Sequence, residues 1–85
     1  MATYKVLYWQ EIPSQINAED GEDEVALQLA PSFTELIDRL AMQRGLTGSD
    51  DFLSGWHWGE EIDRSGTAWE VAEAVKTELE ARSYS

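Results

Sequence analysis

The sequence contains no cysteine and a single histidine, His57, among its 85 residues. A chain without cysteine forms no disulfide, no thiolate zinc site and no iron–sulfur cluster, and it has no thiol nucleophile. One imidazole cannot supply the several histidines that most transition-metal sites use. The composition therefore argues against most of the familiar chemistry of small domains, and we expect neither a metal nor another cofactor.

Basic residues are also scarce, since six lysines and arginines stand against 17 acidic residues and give a formal net charge of −11. Such a surface is repelled by nucleic-acid phosphates and by anionic lipids, so direct binding to either is disfavoured. No apolar run approaches the roughly 18 residues of a membrane span, and the N-terminus lacks the pattern of a secretory signal. With 42% apolar residues, we expect one folded cytoplasmic domain.

The segment over residues 3–10 carries large apolar side chains on both faces of a predicted strand. A strand covered on one side only would alternate cleanly between apolar and polar residues. This strand is therefore predicted to lie inside the sheet, with Trp9 at least partly covered. Proline cannot donate a hydrogen bond to a sheet, so Pro13 indicates a corner over residues 11–13.

A β-hairpin is predicted around Asp20-Gly21, a dipeptide that tolerates the positive φ angles of a two-residue turn. The flanking strands are predicted over 14–18 and 23–29, with Ile16 opposite Val25. In this register the apolar residues share one face, which supports the hairpin. The acidic residues at its tip are expected to project into solvent.

Three helices are predicted in the remainder of the chain. Capping boxes that begin at Ser32 and Thr67 indicate the starts of two main helices. Gly45 is the expected C-cap of the first, and a short helix over 48–54 follows. Each main helix has an apolar stripe at helical spacing, formed by Phe33, Leu36, Ile37, Leu40 and Ala41 and by Ala68, Val71, Ala72, Val75 and Leu79.

A fourth strand is predicted over residues 56–62, between the short helix and the last one. The order βββααβα implies an α+β fold of two layers, a small and mostly antiparallel four-stranded sheet covered on one face by two main helices. On the last helix, Glu73 and Glu80 are expected to face water, and Glu78 is expected to pair with Arg82.

Four tryptophans are the most unusual feature of the sequence. Trp56 and Trp58 share a strand face if the period of two holds, and His57 points the other way. Tryptophan enlarges the thin core of a small domain and is also enriched at interface hot spots, so both roles are open for each ring. Glycines on both sides of the Trp56–Trp58 segment favour an exposed aromatic patch there.

Three stretches of the chain, over residues 8–16, 37–42 and 45–53, resemble the small bacterial family described as virulence factor. The most specific parts are the patterns Y-W-x-x-I-P-x-Q and G-S/T-D-x-[FY]-L. A similar domain accompanies helical repeats in a staphylococcal conserved virulence factor. The resemblance therefore implies an accessory or interaction domain, and it carries over no reaction and no catalytic residue.

We expect a non-enzymatic protein-interaction domain whose partner is another protein of basic or mixed charge. One alternative is a small-molecule-binding or catalytic domain that uses His57, Tyr8 and an acid such as Asp38 or Asp50, and a second is an acidic mimic of nucleic acid. The exposed hairpin edge leaves homodimerisation open. The candidate interaction patch comprises Trp9, Gln15, Asp38, Asp50, Trp56, His57 and Trp58.

Overall fold

A computed structural model describes residues 1–46 and 48–82, apart from the side chain of Ser49. The strands form one antiparallel sheet in the order β3-β2-β1, and β4 and β5 both pair with the remaining edge of β1. The predicted α+β class and the interior position of the first strand are confirmed. The elements are β1 (Ala2–Trp9), β2 (Ile12–Glu19), β3 (Glu24–Gln28), α1 (Pro31–Gln43), α2 (Ser49–Ser54), β4 (Trp56–Trp58), β5 (Ile62–Arg64) and α3 (Ala68–Glu80).

The strand predicted over 56–62 is interrupted in the structure. β4 pairs with the second half of β1 and β5 with its first half, and residues 59–61 belong to neither strand. Within the interruption, the Gly59 amide still donates to the Val6 carbonyl at 2.8 Å. A Cβ on Gly59 would lie 3.0 Å from the Tyr8 ring, so the backbone approaches this ring closely.

The hairpin register differs from the predicted one by two residues. Ile16 pairs with Leu27, and Ala18 pairs with Val25, so the connection is the four-residue segment 20–23. A slip of two residues keeps every side chain on its face. The prediction that Ile16, Val25 and Leu27 share a face is therefore confirmed, although the predicted two-residue turn is wrong.

The wider loop is held by the Asp20 carboxylate. One oxygen accepts the amides of Glu22 and Asp23 at 2.9 and 2.8 Å, and the other accepts the Ala68 amide at 3.0 Å. These amide donors, Ala68 foremost, lower the pKa of Asp20 to about 2 because they favour the ionised carboxylate. Asp20 therefore does not project into solvent as predicted; it joins the hairpin loop to the start of α3.

The corner between β1 and β2 lies earlier than predicted, at residues 10–11, where Gln10 has a φ of 51°. Pro13 belongs to β2 and pairs with Tyr8, next to an irregularity where Ser14 is an extra residue in the register. A bulge of this kind tolerates a proline inside a strand. Pro13 thus marks a local bend in the sheet, although the chain reversal comes before it.

The start of α1 corrects the capping box predicted at Ser32. The helix begins with Pro31 in its first turn, and the side chain of the N-cap residue, Ala30, makes no capping hydrogen bond. The Ala30 amide donates to Glu80 Oε2 at 2.8 Å, so a residue of α3 accepts the bond. Glu80 is half-buried by this contact and by Lys76, and the prediction that it faces water is wrong.

The other helix signals are confirmed. At the end of α1 the Leu46 amide donates to Ala41 and the Gly45 amide to Met42, and Gly45 has a φ of 70°. This is a Schellman motif, in which glycine is favoured because it adopts positive φ without strain. Both hydrogen bonds of the capping box at Thr67 are present. The apolar stripes of both helices are buried except for the half-buried Leu36.

One face of the sheet packs against α3. Val75 and Leu79 of this helix adjoin Tyr4, Val6 and Tyr8, which alternate along β1 on the same face. α1 contacts the sheet through β2.

An ion pair of 2.6 Å between Arg64 and Glu78 also joins β5 to α3, and it lowers the pKa of Glu78 through the guanidinium hydrogen bond. Glu78 therefore makes its close ion pair across elements with Arg64, and the predicted partner, Arg82, acts on it only as a weaker nearby charge.

Candidate interaction surface

The opposite face of the sheet is covered at one end by α2. Trp9 is fully buried there, its ring stacks on Phe52 with 5.6 Å between centroids, and its Nε1 donates to the Phe52 carbonyl at 2.9 Å. The Trp56 ring meets Phe52 edge-on at 6.0 Å and is half-buried. Trp9 was expected in the interaction patch, but it lies in the core, where it packs between the sheet and α2.

Gly55, which joins α2 to β4, allows this packing. A Cβ at Gly55 would lie 2.6 Å from Trp9 Nε1, a distance that is shorter than any normal contact. The Gln10 amide also donates to the Gly55 carbonyl at 2.8 Å. The absence of a side chain therefore lets the chain pass against the indole and enter β4 in register with β1.

Beyond the part covered by α2, this side of the sheet has no buried side chain in the described residues, and we call it the open face. Paired residues of antiparallel strands point to the same side, so the register defines its members. Every one of them is exposed or half-buried. They form three rows across the strands: Gln28, Gln15, Leu7 and Trp58, then Ala26, Asn17 and Lys5, then Glu24, Glu19, Thr3 and Asp63.

Trp58 is the large aromatic group of the open face, and 44% of its surface is exposed. The Lys5 ammonium lies 4.6 Å from the centre of its ring, which is a cation–π contact. On the neighbouring strand, Gln15 Nε2 donates to Asn17 Oδ1 at 2.7 Å. One face of the indole is thus in contact with a cation, and two hydrogen-bonded polar side chains lie on the same open face.

The third row makes one end of the open face acidic. Glu19 and Glu24 are directly opposite each other, and with Glu61 and Lys5 they line a groove of about 430 Å³. In the described part of the chain, neither Glu19 nor Glu24 has a basic partner. Like charges in directly opposed positions destabilise a sheet. The molecule therefore keeps an unfavourable pair on a surface that is accessible to other molecules.

The predicted patch is only partly brought together. Trp56 and Trp58 share a face as predicted, and Gln15 belongs to the same row as Trp58. His57 points to the other face, where it stacks on Tyr8 at 5.7 Å and its Nε2 lies 2.9 Å from the Gln10 carbonyl.

The two acids of the predicted patch lie on helices. Asp38 is exposed on α1, and Asp50 is exposed in the first turn of α2. Neither belongs to the strands that form the open face, and among the described residues neither carboxylate makes a hydrogen bond or an ion pair with that face.

Lys5 and Trp69 are surface features that the sequence interpretation did not single out. Trp69 is 52% exposed on α3, more than Trp58. Its position next to Ala68 is off the apolar stripe of the helix, which was a usable signal of exposure. Lys5 stands among apolar residues of β1, and its alternation with Tyr4 and Val6 places it on the face opposite α3.

The described residues, 1–46 and 48–82, contain neither a cluster of metal ligands nor a membrane-spanning helix. No group of three or more histidine, aspartate or glutamate side chains there is arranged to hold a metal ion. Among the same residues, no helix combines the length and the apolar character that crossing a bilayer requires.

The fold and this surface define a small α+β domain with one helix-covered sheet face and one open face. The sequence profile of the family described as Virulence factor matches residues 7–85, which is nearly the whole chain, and the chain belongs to this family. No match is found among curated proteins or among solved structures. Family membership therefore agrees with the resemblance seen in the sequence and specifies no reaction.

Proposed function

We propose that the chain is a non-enzymatic protein-interaction domain that binds its partner through the open face. The observation that carries this proposal is the indole of Trp58, which stands 44% exposed on the open face, where the described residues include no buried side chain. Tryptophan is enriched among the few residues that supply most of the binding energy at interfaces. A strand position also holds the ring in a defined orientation.

The rigidity of the support favours binding. β4 is paired with β1, and beneath it Trp9 and Phe52 pack into the core next to Gly55. A side chain that is already ordered loses little conformational entropy when a partner covers it. The buried tryptophan therefore contributes to the interaction surface by positioning the exposed one.

The charge of the chain favours a basic or mixed-charge partner. A net charge of −11 attracts positively charged proteins over distances of about 8 Å at physiological salt, and it repels nucleic acids. Acidic residues at the rim of an interface raise the association rate more than the final affinity. We therefore expect the affinity for the partner to depend on Trp58 and the association rate constant to depend on ionic strength.

The test compares Trp58→Ala with the wild type and with Trp69→Ala. Trp69 is the matched control because it is more exposed than Trp58 but lies on α3, away from the open face. Proteins retained from a lysate of the source organism are identified, purified and titrated against all three proteins. Truncation of a hot-spot tryptophan costs about 2 kcal/mol or more, or roughly 30-fold in Kd.

We expect this loss for Trp58→Ala and an unchanged Kd for Trp69→Ala. Circular dichroism and thermal melting check that both variants stay folded. If the partner binds the two variants with equal affinity, the open face is not the interaction surface and the proposal is wrong.

A further inference from the structure

We infer that the open face binds an extended segment with two basic residues four positions apart, one of which displaces Lys5 from Trp58. This inference rests on the proposed function and specifies the chemistry of the partner. It depends on three features of the open face. These are the Lys5 ammonium on the Trp58 ring, the opposed pair of glutamates without a basic partner, and the spacing along β1 between the ring and the glutamate pair.

The first feature is the contact between Lys5 and Trp58, with 4.6 Å between the ammonium and the ring centre. The contact demonstrates that the ring presents its face to a cation at the surface of the free protein. A lysine or arginine of a partner would use the same ring face and must exchange with Lys5. The internal cation therefore competes with the partner and lowers its apparent affinity.

The second feature is the opposed pair Glu19 and Glu24, which faces the groove together with Glu61. Repulsion between the paired carboxylates is relieved when a positive charge comes between them. The Lys5 ammonium is engaged by Trp58 and makes no ion pair with either glutamate in the described residues. A second basic residue of the partner would supply this charge.

The third feature is the spacing between the two positions. Trp58 pairs with Leu7 of β1, and Glu19 pairs with Thr3 of the same strand. The two positions are therefore four residues apart along β1. Four residues of an extended strand span about 13 Å. Trp58 stands one strand to one side of β1, and Glu19 stands one strand to the other side. An extended segment that lies along β1 therefore matches this separation when its two basic residues are four positions apart on one face and each side chain reaches sideways across about one strand spacing, roughly 4.8 Å.

The test uses two synthetic peptides of identical composition, T-K-T-S-T-K-T and T-T-K-K-T-S-T. Binding is followed by NMR through the indole N–H signal of Trp58, which Trp58→Phe assigns. The spaced peptide is expected to bind the wild type more tightly than the adjacent one. Glu19→Gln combined with Glu24→Gln is expected to remove this preference, since the second cation then has no charged site.

The competition is tested with Lys5→Met. Removal of the internal cation is expected to tighten binding of the spaced peptide about two- to fivefold, the equivalent of an exposed cation–π contact. Arg39→Met is the matched control because Arg39 is exposed on α1 and its loss changes the net charge equally. Equal effects of Lys5→Met and Arg39→Met, or equal binding of the two peptides, would overturn the inference.

The two proposals fail in different ways. If Trp58→Ala abolishes binding of the native partner but the peptides show no preference, the basic segment is wrong and the interaction surface stands. If Trp58→Ala leaves the native partner bound while the spaced peptide still shifts the Trp58 signal, the open face is a cation-binding surface and the proposed function is wrong.

Discussion

Replacing Gly55 by alanine tests how tightly the indole of Trp9 is enclosed. The backbone at Gly55 has φ −77° and ψ −17°, values that alanine adopts without strain. Backbone entropy alone therefore predicts that Gly55→Ala stabilises the protein by about 0.4–1 kcal/mol. The sterics predict the opposite, because the added Cβ would meet Trp9 Nε1 at 2.6 Å and two ring carbons at 3.0 and 3.1 Å.

The steric term is expected to dominate. Trp9 is completely buried and its Nε1 is hydrogen-bonded to the Phe52 carbonyl, so the ring cannot retreat without breaking that bond. Overpacking of a core by one methyl group costs typically about 1–3 kcal/mol. For a domain of this size a loss of about 2 kcal/mol lowers the Tm by roughly 8–16 °C. Urea denaturation and thermal melting measure the two quantities.

Two further variants isolate the cause. Gly48→Ala is the control because the nearest atom to its added Cβ, a carboxylate oxygen of Asp51, lies at 3.7 Å. Trp9→Phe removes the atom that clashes most, so adding Gly55→Ala to it should cost less than about 1 kcal/mol further, a coupling typical of residues in contact. A Gly55→Ala protein as stable as the wild type would refute the proposed enclosure of Trp9.

Two other predictions concern the contacts that hold the helices to the sheet. Because the Ala68 amide and two amides of its own loop lower the pKa of Asp20 to about 2, its contribution to stability is complete above the usual value near 3.8 and is lost as the pH falls toward 2. Urea titrations at several pH values should give a shallower decline over this range for Asp20→Asn; equal slopes would contradict the contact. Glu80→Ala removes the acceptor of the Ala30 amide and should lower the free energy of unfolding by about 1 kcal/mol. Glu73→Ala, at an exposed position of the same helix, should change it by less than about 0.5 kcal/mol in the same urea titration.

Several features of the helices could be predicted from the sequence because their physical causes lie within a few residues. The capping box at Thr67 and the glycine end of α1 at Gly45 depend on neighbouring backbone groups only. The apolar stripes follow from the helical period. These features of the fold were therefore predicted correctly in type and in position.

The errors arise where a distant residue supplies a hydrogen bond. Asp20 holds a four-residue loop partly because the Ala68 amide, 48 positions away, donates to it. At the start of α1 the Ala30 amide donates to the carboxylate of Glu80, 50 positions further along, and Ser32 is not the N-cap residue. A local sequence pattern does not indicate hydrogen-bond partners that are so far away in the sequence.

The candidate surface was predictable in part. The period of two correctly placed Trp56 and Trp58 on one face and His57 on the other. Which indole is buried depends on what covers each end of the sheet, and α2 covers the end with Trp9. Lys5 was overlooked because its significance appears only when β4 brings Trp58 beside it.

The two borders of the sheet differ in their capacity to accept another strand. On the β1 side, the break at residues 59–61 divides the border into pieces of three residues, too short to template a long ladder. On the other side, β3 offers five consecutive residues, preceded by Glu22 and Asp23 and beginning with Glu24. These carboxylates repel the same border of another copy, and dissolved salt screens the repulsion. Chain-to-chain fibre growth should therefore start at β3, and added salt should promote it.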